Sequence, residues 1–195
     1  MLQFIPCENN KYSVAELTQM AIEAGCGWIQ LHLPEASDAD IRDLAAELIP
    51  LCKEAGVILT IEDRPELARD LGIHGVHLTD NSHGSARKVR EDLGAGAIIG
   101  IQVADPQSIL SLKGADIDYV TLNPTLTADR CRQIIADARN SGSEMPIVVT
   151  GTDIPEMITT GASGFAVPYS GPLADADDPV AAISSYIDTI NNNRN

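Results

Sequence analysis

Carboxylates, a histidine and two small-residue loops fall where short β-type runs end in this 195-residue chain, and such residues hold cations, move protons and cradle anions. Glu62 and Asp63 close the run VILTI, and Asp80 follows the next run, GVHL. Magnesium takes a few carboxylates together with water and substrate phosphate oxygens, so Asp63 with Asp80 is a candidate Mg²⁺ ledge. Asp63 also precedes Arg64-Pro65-Glu66 and suits a helix cap, and Asp80 suits a turn. Gly151 and Thr152 follow one later run, and Ser170 and Gly171 another. Their small side chains let backbone N–H groups approach a phosphate, although ordinary turn chemistry uses the same residues. His32, at the end of WIQLHL, is a candidate proton donor or ligand, whereas His77 inside GVHL is expected to pack in the core and hydrogen-bond a neighbour. Cys7 is expected to be an idle thiol.

Positioning these residues requires a scaffold that gathers strand ends. Runs with helical apolar spacing stop at Gly25, Gly56, Gly72, Gly94, Gly114, Gly142 and Gly161, and a short β-type run follows each one. With LQFIP at the start, this predicts eight strands alternating with helices. Such alternation requires parallel pairing, and a single-domain (β/α)8 TIM barrel is expected over residues 1–190, with an open doubly wound sheet as the alternative. Residues 191–195 read as a disordered polar tail. Ser13 with Glu16 predicts a capping box, Ser37 and Thr127 predict two further helix starts, and Asp178-Pro179 opens the last helix. Pro50 lies inside the pattern Ile41, Leu44, Ala45, Leu48, Cys52 and is expected to kink or split that helix.

In a parallel barrel, chemistry gathers at the carboxyl ends of the strands. That places Cys7, Glu8, His32, Glu62, Asp63, Thr79, Asp80, Gln102, Asn123, Thr125, Thr150 to Thr152, Tyr169 and Ser170 around one mouth. Lys11, Lys53, Lys88 and Lys113 fall elsewhere, which argues against Schiff-base chemistry. Arg64 alone stands near the mouth, so a diphosphate would depend on a metal and backbone dipoles. The formal charge of −15 argues against nucleic acid or an anionic membrane as partner. Isolated cysteines and the absence of a secretory apolar region point to a reducing cytoplasm, and no run approaches the ~18 residues of a membrane span. A homo-oligomer is compatible with all of this.

The passage Glu62-Asp63-Arg64, Glu66-Leu67-Ala68 and Gly72-Ile73-His74-Gly75-Val76-His77-Leu78 resembles the thiamine phosphate synthase family, which includes thiazole tautomerases. Pro146 to Val149 and Gly161 to Val167 resemble that family's last two strands. The resemblance implies a barrel in which a pyrimidine diphosphate loses diphosphate and the thiazole nitrogen captures the resulting cation. Mg²⁺ would neutralise the leaving group, and a thiazole phosphate would rest on Gly151, Thr152, Ser170 and Gly171. Gln30 matches the glutamine that begins a family motif after strand 2, while position at the strand ends makes Gln102, Asn123 and Thr125 candidate substrate contacts and His32, Glu62 and Asp63 the candidates for the chemistry. Several family side chains are replaced: His32 stands for an arginine, Pro34 for a lysine, Glu62 for an asparagine, Ser82 for the second metal-binding aspartate and Gln102 for a serine. The lysine expected after strand 6 is absent, as is the tautomerase histidine. Two other readings stay open: a non-catalytic relative that binds a thiamine intermediate or a partner enzyme, and a tautomerase or isomerase of a phosphorylated substrate using His32 with Glu62.

Overall fold

Each predicted β run forms a strand, and each strand pairs in parallel with the next. In the computed structural model, which describes residues 1–79 and 86–193, these are β1 (Leu2–Ile5), β2 (Trp28–Leu31), β3 (Ile58–Glu62), β4 (Gly75–Leu78), β5 (Ile98–Val103), β6 (Tyr119–Leu122), β7 (Ile147–Thr150) and β8 (Gly164–Pro168). β8 pairs back onto β1, from Leu2 beside Phe165 to Ile5 beside Pro168, so the ring of eight closes and the open-sheet alternative falls.

The intervening helices are α1 (Val14–Glu23), α2 (Asp38–Ala55), α3 (Pro65–Leu71), α4 (Ala86–Leu93), α5 (Pro106–Ser111), α6 (Ala128–Asn140), α7 (Ile154–Ile158) and α8 (Pro179–Asn192). Ser13 and Ser37 each complete a capping box, with Glu16 and Asp40 as the reciprocal acceptors. Thr127 and Asp178 cap α6 and α8 through their side-chain oxygens. Gly56 and Gly72 end α2 and α3 at φ 68° and 67°, a left-handed conformation that strains any residue with a side chain. α8 continues to Asn192, into the stretch read as tail.

Pro50 neither splits nor ends α2, which runs unbroken from Asp38 to Ala55. The proline is on the exposed side, while Ile41, Ala45, Leu48 and Cys52 bury one face on both sides of it. Packing of that continuous face outweighs the lost backbone bond.

Alternation along each strand divides the core in two. Outward residues such as Phe4, Ile29, Leu59, Val76, Ile101 and Val120 pack beneath the helices, while Ile5, Trp28, Tyr119, Val148 and Ala166 fill the barrel interior. Gly100 is the one inward position of β5 where a side chain would collide: an added Cβ would lie 2.1 Å from the Tyr119 ring. The ring occupies that gap and meets Trp28 edge-on at 5.1 Å. Gly100→Ala is therefore expected to cost about 1–3 kcal/mol through overpacking. Urea unfolding measures it, and an unchanged midpoint would contradict this packing.

At the amino-terminal pole, Arg90 of α4 donates to the carbonyls of Gly94 (3.2 Å), Ala97 (2.6 Å) and Asp116 (2.9 Å) and to the Asp118 carboxylate (2.8 Å). Asp118 also accepts the Ile99 N–H, so one arginine ties the end of α4 to the starts of β5 and β6.

Candidate active site

Inward residues near the carboxyl ends of the strands line a cavity of about 460 Å³. One wall is largely apolar, from Ile5, Cys7, Ala166 and Pro168, and the other carries Gln30, His32, Glu62, His77, Thr79, Gln102 and Thr121. The division broadly follows strand order, since the apolar wall comes from the adjoining β1 and β8 and most of the polar side chains from β2 to β6, with Gln3 of β1 and Thr150 of β7 added to them.

Glu62 is the electrostatic centre of the polar wall. Its Oε1 lies 2.6 Å from His32 Nδ1 and its Oε2 lies 3.4 Å from His77 Nδ1. Burial opposes ionisation of this carboxyl, but the hydrogen bond from His32 and the proximity of His77 outweigh it and draw the value down to about 2. The bond to Glu62 raises the His32 value in turn, against a smaller loss from burial. Both charged forms therefore favour the folded state. The stabilisation from Glu62 is present above its unfolded value near 4.5 and is lost as pH falls toward 2. That from His32 is complete below its unfolded value near 6.5 and is lost as pH rises through the elevated folded value. The pair is thus expected to contribute most between those two unfolded values, a contribution reduced by solvent screening at the half-exposed His32. Comparing urea midpoints of the parent and His32→Gln across this range measures it, and a pH-independent difference would contradict the coupling.

Below this pair the floor is a buried polar layer. Gln3 Nε2 donates to Gln30 Oε1 at 2.7 Å and to the Tyr119 hydroxyl at 3.2 Å, and the Trp28 indole N–H donates to Thr60 Oγ1 at 3.0 Å. Burial also pushes the Tyr119 hydroxyl above its ordinary value, so it remains protonated.

The other sequence-predicted residues are distributed as follows. Gln30 and Gln102 line the cavity. Asn123 and Thr125 do not: the Asn123 carboxamide oxygen accepts the Thr125 N–H at 3.0 Å and hydroxyl at 2.7 Å, and Pro124 between them faces the cavity instead. Asp63 adopts φ 50°, and its two oxygens accept the Thr79 N–H (2.9 Å) and hydroxyl (2.6 Å). It does not cap α3, whose N-cap position is Arg64 and carries no side-chain cap bond. Asp80 and Ser82 lie outside the described residues. Among the described residues, no three His, Cys, Asp or Glu side chains gather to hold a metal. Burial pushes the Cys7 thiol up, which suits an unreactive cavity wall.

Thr150 and Pro168 line the cavity, and the loops that follow them meet, with the Cβ direction of Gly171 pointing 3.7 Å from Thr152 Oγ1. The amides of Gly151 and Ser170 donate to the carbonyls of Ala166 and Pro168. Gly171 opens a short 3₁₀ turn (Gly171–Leu173) at φ 55°.

Gln3, His77 and Thr121 belong to this cavity and escaped the sequence reading of strand ends. The available signal was the two-residue repeat: His77 shares a face with Thr79, and Gln30 with His32.

The family described as thiamine monophosphate synthase matches residues 2–169. Thiamine-phosphate synthase of Bacteroides fragilis (strain ATCC 25285) is 36% identical, covering 92% of this chain and 94% of that protein. The protein of the same name in Bacteroides thetaiotaomicron is 33% identical, covering 92% of each. Among solved structures, thiamine phosphate pyrophosphorylase from Pyrococcus furiosus superposes with TM-score 0.83 at 20% identity, covering 100% of this chain and 96% of that one, a likeness of fold. Among the described residues, no helix is long and apolar enough to cross a membrane.

Proposed function

The chain belongs to the thiamine monophosphate synthase family, and on that premise we propose that its cavity binds a phosphorylated nitrogen heterocycle, with the ring beside Gln30, His32 and Glu62 and the phosphate at the loops after β7 and β8. The observation that carries this reading is a ring-sized cavity with one polar and one apolar wall, opening beside Thr150 and Pro168 at the loops that carry Thr152 and Gly171. Gly151 and Ser170 shape that cradle, while their own amides serve the backbone.

The family coupling of a thiazole phosphate with a pyrimidine diphosphate would run in an altered setting. No lysine or arginine lines the cavity among the described residues. Arg64 instead donates to the Asp63 carbonyl and stands 4.0 Å from Asp38. Single electrostatic contacts to developing charge are worth roughly 3–4 kcal/mol, so replacing the family's cations with His32 and Pro34 predicts weak coupling. Magnesium, which the resemblance implies, would supply charge neutralisation on the diphosphate. Both Asp63 oxygens face Thr79, however, and the described residues do not assemble a site for it.

Calorimetry with the thiazole phosphate, followed by an assay with Mg²⁺ and both precursors, tests this reading. Binding with slow product formation is expected, binding without product identifies a non-catalytic relative, and absence of binding overturns the proposal. Four unpaired cysteines suit the cytoplasm as its setting.

The 2.6 Å contact between His32 and Glu62 favours a second reading, proton transfer on the bound heterocycle. A carboxylate on Nδ1 orients an imidazole and leaves Nε2 to exchange a proton with a ligand, the arrangement that general acid–base catalysis requires.

A further inference from the structure

His32 takes only one oxygen of Glu62. The other faces Nδ1 of His77, and that nitrogen is buried without a hydrogen bond of normal geometry. On its far side, His77 Nε2 lies 2.7 Å from Thr121 Oγ1. β5 runs between these strands, and Gly100 leaves there the space in which the Tyr119 ring sits, with His77 stacked on it at 6.2 Å and 26°. The four side chains thus form one file from the end of β2 across β3 and β4 to β6.

A neutral imidazole carries its proton on one nitrogen. Were that Nε2, the Nδ1 lone pair would face the Glu62 carboxylate and repel it. With the proton on Nδ1 the same contact is attractive, and the Thr121 hydroxyl donates to Nε2. We propose that His77 is a positioning residue: its Nδ1–H, fixed by Thr121, steadies Glu62 so that the carboxylate holds His32 by Nδ1 and leaves Nε2 for the ligand. The purpose of this arrangement rests on the proton-transfer reading, but its geometry can be tested without any ligand.

The test is NMR of the full chain with ¹⁵N-labelled histidine. In the parent protein His77 is expected as the Nδ1–H tautomer, and His32 is expected to show a downfield Nδ1 proton from its short bond to Glu62. His77→Asn, whose amide nitrogen takes the place of Nδ1, should retain that His32 signal. His77→Gln, which can reach only toward Thr121, should lose it, and Thr121→Val, which removes the donor to Nε2 but leaves Glu62 opposite Nδ1, should keep the Nδ1–H tautomer and weaken the His32 signal. An Nε2–H tautomer in the parent overturns the proposal, with no variant needed. So does an unchanged His32 signal in folded His77→Gln. Failure of the heterocyclic phosphate to bind, with these signals as expected, would remove the functional reading and leave the positioning role intact.

Discussion

Glu62→Gln is expected to abolish most proton transfer on a bound heterocycle while leaving its phosphate held. The substitution keeps the shape of the side chain, but a carboxamide presents either an N–H or a carbonyl to His32. An N–H placed at the position of Oε1 would force Nδ1 to accept, moving the imidazole proton to Nε2, the nitrogen meant to take a proton from the ligand. A carbonyl placed there keeps the tautomer but removes the charge that stabilises the imidazolium. Either orientation removes part of the general base contribution, so a fall of about 10²–10⁴-fold is expected. Deuterium exchange into the bound ligand reads the rate, and calorimetry reads the affinity, which should change little because Thr152 and Gly171 lie on other loops. Parent-like exchange in Glu62→Gln would show that the pair stands outside the chemistry.

Arg90→Ala is expected to give the largest loss of stability, about 2–4 kcal/mol. The arginine is 8% exposed and donates to three carbonyls and one carboxylate. Truncation removes charge-assisted bonds to part-buried acceptors, each worth about 1.5–3 kcal/mol where water does not replace it. The loss is moderated because the Asp116 and Asp118 side chains, 76% and 47% exposed, recover water. Arg90→Lys should rescue only part, since an ammonium lacks the fork that reaches several acceptors at once. Urea unfolding measures both variants. Ligand affinity in the folded variants should match the parent, because Arg90 sits at the opposite pole from the cavity. A shift of a few tenths of a kcal/mol in Arg90→Ala would mean that water replaces the guanidinium at little cost.

Much of the scaffold was legible without coordinates. The helix-ending glycines, the serine and threonine caps and the short β-branched runs are local signals, and local signals need only neighbouring residues to act. The same holds for the gathering of His32, Glu62 and Gln102 at one mouth, because parallel strands put their carboxyl ends at the same pole. Pro50 shows the limit of local reasoning: its cost is intrinsic, but whether it breaks α2 depended on the buried face on either side of it.

Residue order alone calls for eight parallel strands alternating with helices, with acidic, imidazole and small-residue groups at the ends of several of those strands. Only the closed barrel decided which of them work together. Closure set the face and height of each side chain, bringing His77 of β4 to Glu62 and Thr121 and turning Asp63 onto Thr79. The physical reason is that partnership between strands depends on register and on which neighbouring side chain fills the gap that a glycine such as Gly100 leaves, and neither is encoded within any one run.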